Sequence, residues 1–395
     1  MSHKKSVAII CPTYRAEGRN NTARFMGAMA LVDQVLNNSS DHDAYLAVVD
    51  DSPKAHPFLE RMAAAHPEKI IYIHMPDKND IAAKYRNDFS AAMNLVPTDE
   101  AIRTSPFWQR RIQQMEGWAK IVPFEDSFAA KIDIRTHIHN NRPTIGTKRN
   151  VAIMAICERF GEPDYIVSAD DDDYRGPTYV EEITSALDQT DFARIGKYIT
   201  YMSYPNEPEV WGTYDLRLQK DANGHFYPDD DLFAKPLYTS EKKDDGSFVE
   251  MSMKGWWSRL AIGAWDPICN EGALHSWRYD AWKKGFDTFG GYAPTNMGDD
   301  IIMFRELTET FGKSVTRGMV PFNGFNFVRV ADGTNASAIL FTEDKIDGEL
   351  PAWAESYIED LKAARRFGAV YEQDSVRVAD HLVKTGQYKP RKVFG

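Results

Sequence analysis

Cysteine is scarce in this chain of 395 residues. There are three, Cys11, Cys157 and Cys269, far apart and without metal-ligand spacing, which excludes a disulfide scaffold and a thiolate zinc site and reads as reduced thiols in a cytoplasmic protein. Long apolar runs are absent too. No stretch approaches the roughly 18 residues needed to cross a bilayer, and the apolar run Val7 to Ile10 behind the basic start stops at Cys11-Pro12, too short for a signal-peptide core. Basic excess is also lacking. Lys and Arg total 47 against 58 Asp and Glu, a formal net charge of −11, which disfavours a broad nucleic-acid surface because phosphate binding needs a basic footprint. The first apolar run is followed by Cys11-Pro12-Thr13-Tyr14-Arg15, not by a glycine-rich phosphate loop. That places a nucleotidyltransferase or sugar-nucleotide pyrophosphorylase low among the alternatives.

What is present is enough apolar and aromatic content, 43% and 12%, for a sizeable core. Val7–Cys11, Ala44–Val49 and Ile70–His74 are short branched-aliphatic runs that predict buried parallel strands. Helical spacing over Ala23–Leu36, Pro57–Ala65 and, further on, Lys148–Arg159 predicts helices that alternate with strands, hence a parallel sheet covered on both faces. A further strand is expected over Tyr165–Ala169, a hairpin-bearing insertion with the turns Asn223-Gly224 and Asp245-Gly246 over 205–253, a helix over Asp299–Thr310, and a helical tail from Leu350. Ligands of such sheets bind beyond the carboxyl ends of the strands.

Five constellations bear chemistry. The strand Tyr165–Ala169 runs into Asp170-Asp171-Asp172-Asp173, and adjacent carboxylates at a strand end suit a hard divalent cation that also binds substrate phosphates. The same run could be a solvated acidic turn. Asp50-Asp51-Ser52 ends the second strand, where a carboxylate can accept from a base or ribose, or merely form an Asx-turn. Gly146-Thr147-Lys148-Arg149-Asn150 opens a helix whose N–H groups and cations attract phosphate; the bland alternative is an exposed, capped helix start. Asp299-Asp300 begins another helix and could supply a general base, or simply an acidic first turn that suits the helix dipole. Arg329 and Asp332, in Arg-Val-Ala-Asp-Gly-Thr-Asn, could add a phosphate contact and a metal ligand, or form a plain Asp-Gly turn.

The order of these elements resembles the family 2 type of inverting GT-A glycosyltransferases. The match lies in Cys11-Pro12-Thr13-Tyr14, Asp50-Asp51-Ser52, the compressed Gly146-Thr-Lys-Arg-Asn150, Asp170 to Asp173, Gly290-Gly291 ahead of Asp299-Asp300, and Arg305, over roughly Val7 to Ser337. The resemblance implies an α/β GT-A fold, Rossmann-like, with a mostly parallel central sheet flanked by helices, insertions and a helical C-terminal tail. Residues 1–340 would form the catalytic domain. Within it, 1–175 would bind the nucleotide sugar and carry a basic insertion over about 80–141, and 176–340 would bind the acceptor; 341–395 would be a helical extension. Pro12, Thr13, Tyr14, Arg15, Asp50, Asp51, Arg149, Asp170 and Asp171 would hold the nucleotide sugar. Asp172, Asp170 and Asp332 would hold Mn²⁺ or Mg²⁺, with His275 as the alternative third ligand, since relatives use a His-Gly-x-Asn element where Asp332-Gly333-Thr334-Asn335 stands here. Asp300 would be the catalytic base and Asp299 would orient the acceptor.

The aromatic residues Trp256, Trp257 and Trp277 are candidates for stacking on the acceptor, although such tryptophans more often pack in a core. The expected partners are a nucleotide-diphosphate sugar, UDP-linked, and a hydroxyl-bearing acceptor, a glycan or small molecule. A second acceptor class is DNA carrying hydroxymethylated bases, as some bacteriophages use. The stretch from Arg103 to Arg142, with Arg110, Arg111, Trp108 and Trp118, and the basic C-terminus would then face the duplex.

Overall fold

Val7 to Cys11 are fully buried, as an unbroken apolar run requires of a strand covered on both faces. The computed structural model describes residues 4–15, 21–38, 41–80, 99–121, 141–203, 209–215, 218–220, 226–228, 230–252, 254, 275–296, 298–312, 317–320, 325–332, 340–341, 350–366 and 371–386. The central sheet has seven strands: β1 (Ser6–Thr13), β2 (Asp43–Asp50), β3 (Ile70–His74), β4 (Tyr165–Ser168), β6 (Phe192–Ile195), β13 (His275–Arg278) and β14 (Arg317–Val320), in the order β14-β6-β13-β4-β1-β2-β3. All pairings are parallel except those of β13, which runs antiparallel to β4 and β6. The expected α/β fold with a mostly parallel sheet is therefore what the chain forms.

Alternate residues of the strands enter different layers, as a period of two dictates. Val7, Ile9, Leu46 and Val48 pack with α1 (Thr22–Leu36), α2 (Pro57–Ala65) and α6 (Tyr179–Leu187). Ala8, Ile10, Ala47 and Val49 pack with α5 (Ile145–Phe160), α8 (Tyr279–Phe289) and α9 (Asp299–Phe311). The first layer also contains Ala354, Ile358 and Leu361 of α10 (Ala352–Arg366) and Val378 and Leu382 of α11 (Tyr371–Thr385), so the C-terminal helices share the sheet's own core. Tyr357 of α10 stacks on Tyr174 at 5.3 Å between ring centres and donates to Asp33 of α1 at 3.0 Å.

A second sheet, not legible as such in the sequence, joins β5 (Tyr174–Arg175), β15 (Phe327–Ala331), β7 (Lys197–Met202) and β8 (Val210–Asp215) in that order. It closes the far side of the acidic run. The expected hairpin turn at Asp245-Gly246 links β11 (Pro236–Lys242) to β12 (Phe248–Ser252), with Gly246 at φ 82°; β16 (Leu340–Phe341) extends that pair. Asn223-Gly224 lies outside the described residues, between the short paired strands β9 (Leu218–Lys220) and β10 (Phe226–Pro228), ahead of the short helix α7 (Asp230–Ala234).

The basic stretch holds α3 (Asp99–Thr104) and α4 (Pro106–Ile121), and its interior contradicts a wholly DNA-facing surface. Trp108 is 1% exposed, and Arg111 is buried in a two-point ion pair with Glu306 of α9, Nε to Oε1 and Nη2 to Oε2, both 2.8 Å. Arg103 and Arg110 are exposed. The Trp118 side chain, Lys131, Arg135, His137, His139 and the basic C-terminus lie outside the described residues. Among the described residues no helix is long and apolar enough to cross a membrane.

Candidate active site

The numbering of the sheet reverses direction between β1 and β4, and the crevice at such a switch point is where ligands of open α/β sheets bind. Thr13 ends β1, Asp50 ends β2, and Asp170 stands two residues beyond the end of β4. Because β13 is antiparallel, its first residue, His275, comes to the same edge. The acidic run therefore stands at the strand-end edge where ligands of such sheets bind.

The four aspartates divide. Asp171 turns towards α1: its carboxylate accepts from the Thr13 hydroxyl and from Arg24 Nη1 at 2.5 Å. Carboxylate oxygens of Asp170, Asp172 and Asp173 all lie within 4.8 Å of one another. Burial pushes Asp172 up to about 7, and Arg24, whose Nη2 is 3.5 Å from Asp172 Oδ2, only partly counters it. Asp173 is raised by burial and by Asp172, while its Oδ1 accepts from the Val330 N–H of β15 at 3.3 Å. Three mutually repelling carboxylates with hard oxygen donors are a fit for Mg²⁺ or Mn²⁺. The third carboxylate in this group is Asp173, a member of the acidic run that the resemblance does not assign as a ligand. Asp332, half-buried after β15, adds its field to Asp172, and His275 is turned elsewhere.

The start of α5 is buried, contrary to the exposed, capped alternative, although Thr144 does cap it by accepting from the Thr147 N–H at 3.3 Å. Successive helical side chains point about 100° apart, so Lys148, Arg149 and Asn150 reach three different segments. Lys148 Nζ donates to Asp51 Oδ1 at 2.7 Å and to the Thr13 carbonyl at 2.9 Å. Arg149 lies 3.1 Å from Asp299 Oδ2 and 4.0 Å from Asp170 Oδ1. Asn150 donates to the carbonyls of Gly290 and Tyr292, at 3.2 and 3.0 Å, and accepts from the Tyr292 N–H at 3.0 Å. Gly146 is required by closeness: a Cβ there would stand 1.8 Å from the Ala293 carbonyl oxygen and 3.0 Å from Asp299 Cβ.

Asp299 and Asp300 form the first turn of α9 behind Gly298, whose φ is 69°. Burial raises both, Asp299 to about 7, against the opposing charge of Arg149. His275 Nδ1 lies 3.5 Å from Asp300 Oδ2. This places His275 beside the second acid pair, not in the acidic run.

At β2, Asp50 makes an Asx-turn. Its Oδ1 accepts from the Ser52 N–H at 2.8 Å and from the Ser52 hydroxyl, and its Oδ2 accepts from Tyr72 at 2.7 Å and from Arg15 Nη2 at 3.4 Å. Asp50 is thus fully buried and engaged within the protein. Asp51 is held by Lys148 and by Arg142, whose Nε and Nη2 donate to its Oδ2 at 2.9 and 2.7 Å. The Arg142 guanidinium lies over the Tyr14 ring, 3.5 Å from its centre, while Pro12 is buried inside β1. Trp277 is corrected from an acceptor contact to a core residue: it is fully buried between Phe192 and Phe304, because β13 is an interior strand. Trp256 and Trp257 lie outside the described residues.

Arg24 and Tyr72 were missed in the sequence. For Arg24 one signal existed: it stands in the first turn of α1, where a cation opposes the helix dipole.

No protein-family model matches the chain, and no curated protein matches it. Among solved structures it is similar to S. aureus TarS, at 12% identity and a TM-score of 0.37, over 83% of this chain and 37% of that chain, so it spans well under half the length of that protein. Against S. aureus TarS 1–349 in complex with UDP-GlcNAc the identity is 11% and the TM-score 0.37, over 94% of this chain and 70% of that one. Against a 4-diphosphocytidyl-2C-methyl-D-erythritol synthase the identity is 8% and the TM-score 0.26, over 82% and 91%. Likenesses this distant leave the assignment to the residues of the site.

Proposed function

We propose that the chain is a GT-A glycosyltransferase that moves a sugar from a nucleotide-diphosphate sugar, with UDP as the first nucleotide to test, to an acceptor hydroxyl by one inverting displacement. One observation carries this reading. A three-carboxylate group at the switch-point crevice, Asp170, Asp172 and Asp173, faces a second buried acid pair, Asp299 and Asp300, across the Arg149 guanidinium. Single displacement needs a cationic side for the leaving diphosphate and a basic side for the attacking hydroxyl.

Asp170, Asp172 and Asp173 would hold Mn²⁺ or Mg²⁺, which when bound neutralises charge on the departing diphosphate. Asp300, with His275 Nδ1 3.5 Å from its Oδ2, takes the acceptor's proton as the acceptor oxygen attacks the anomeric carbon. Asp299, anchored by Arg149, orients that hydroxyl. Tyr14 and Arg142 offer a flat aromatic and guanidinium surface at the end of β1 against which a nucleobase can lie. The acceptor in this reading is a glycan or small molecule, since Arg111 and Trp108 of the basic stretch are spent in packing.

The test is a panel of nucleotide sugars with Mn²⁺, scored by thermal shift and by release of free nucleotide diphosphate. A metal-dependent shift with one donor, absent in Asp172→Ala, is expected. Asp300→Asn should keep that shift and lose turnover by about 10²–10⁴-fold. No response to any nucleotide sugar would overturn the assignment.

A further inference from the structure

Arg24 is a cation set among carboxylates that the reaction scheme above does not use. Its Nη1 is 2.5 Å from Asp171 Oδ1, its Nη2 is 3.5 Å from Asp172 Oδ2, and the fields of Asp170 and Asp332 also reach it. It occupies the first turn of α1, where the helix dipole repels a cation, so the acidic run is what holds it there. Its side chain is 19% exposed, whereas that of Arg149 is 4% exposed and wedged between two carboxylates. Of the two guanidiniums, that of Arg24 is the more open to solvent.

We infer that Arg24 is an internal counter-cation that yields Asp172 to an incoming divalent ion and then pairs with the diphosphate of the nucleotide. This rests on the metal-dependent reading above. A divalent ion drawn to Asp170, Asp172 and Asp173 claims a carboxylate that Arg24 now holds, and two cations beside one carboxylate repel. Asp171 remains as a pivot, since it also accepts from Thr13 and needs no metal. A guanidinium released at the rim of this crevice meets a diphosphate with the geometry it suits, two parallel N–H donors to phosphate oxygens. In the donor-free enzyme the same residue relieves repulsion within the acidic run. The arrangement orders events: metal first weakens the Arg24 pairing, and the diphosphate then captures the freed side chain.

The experiment uses the full chain and two probes, Mn²⁺ alone and UDP in saturating Mn²⁺, on wild type, Arg24→Gln and Arg24→Lys. Mn²⁺ uptake is read by electron paramagnetic resonance of the free ion, and UDP binding by calorimetry. Arg24→Gln should bind Mn²⁺ about ten-fold more tightly and UDP about ten-fold more weakly, the scale of one charge-assisted contact. Arg24→Lys, which keeps the charge and loses the fork, should fall between. Mn²⁺ affinity equal to wild type in Arg24→Gln, or unchanged UDP affinity, overturns the role of Arg24 while leaving the metal site standing. If neither wild type nor variant takes up Mn²⁺, the metal reading itself fails and the inference with it. Should circular dichroism show Arg24→Gln unfolded, unchanged Mn²⁺ and UDP affinities in Arg24→Lys overturn it instead.

Discussion

Arg149 Nη1 lies 3.1 Å from Asp299 Oδ2, and this buried pair ties the helix that starts beside the acidic run to the helix that carries the second acid pair. Burial pulls the Arg149 pKa down, and the carboxylates of Asp299 and Asp300 more than reverse it, so the guanidinium stays charged. Removing it takes away the largest influence opposing burial at Asp299 and Asp300 and should raise both further. Arg149→Met is therefore expected to cut turnover at neutral pH by about 10²-fold and to move the acid limb of the pH–rate profile to higher pH. A profile scaled down without displacement would show a purely structural role.

The acidic run makes metal uptake and stability respond to pH in opposite ways. Asp172 and Asp299 are held up to about 7 by burial, above an unfolded carboxyl near 4. A raised folded pKa adds stability that is complete below the unfolded value and is lost as pH rises through about 7. For the metal-free protein these two groups should therefore lower the melting temperature between about pH 4 and about pH 7. Mn²⁺ affinity should climb over the same interval, because binding expels the proton from Asp172. Calorimetry in buffers of different ionisation enthalpy reads the released proton, and no release near neutrality would contradict the assignment.

Gly146 and Asn150 hold the approach to Asp299 by shape and by hydrogen bonds. Gly146→Ala places a methyl group 1.8 Å from the Ala293 carbonyl oxygen, and the first turn of α5 must shift. Its expected cost is about 1–3 kcal/mol or more of stability. Asn150→Ala strips three hydrogen bonds from the Gly290–Tyr292 segment and should cost about 1–3 kcal/mol. Both are read from denaturant unfolding, with turnover measured on the folded fraction.

Arg111 separates a packing role from a nucleic-acid role. Arg111→Met leaves Glu306 buried without its partner and should destabilise by about 3–5 kcal/mol. Arg110→Met, on the exposed face of the same helix, should change stability little. A large loss of DNA affinity in Arg110→Met, with steep salt dependence, would instead restore modified DNA as the acceptor.

Much of the fold was legible in the sequence because its signals are local. The run Val7–Cys11, short, branched and ended by proline, reads as a strand covered on both faces, and the spacing of Ala23–Leu36 and Pro57–Ala65 located α1 and α2 within a residue at either end. The strand-end positions of Asp50 and Asp170–Asp173 also followed from the chain alone, and with them their shared edge of the sheet, since parallel strands present their carboxyl ends on one side. Trp277 could not be placed this way. An interior antiparallel strand and a surface aromatic read alike until the neighbours of β13 are known.

The sequence by itself determined which segments are strands and helices, and which acidic runs end or begin them, because apolar periodicity and capping act over a few residues. Only the tertiary structure decided how the charges are paired. Arg24 meets Asp171 across 147 positions of chain, and Arg111 meets Glu306 across 195. His275 meets Asp300 only because one strand of the sheet runs backwards. No local pattern encodes such pairs. A buried carboxylate must find a cation or a donor wherever the packed layers bring one, and that choice is made by the fold as a whole.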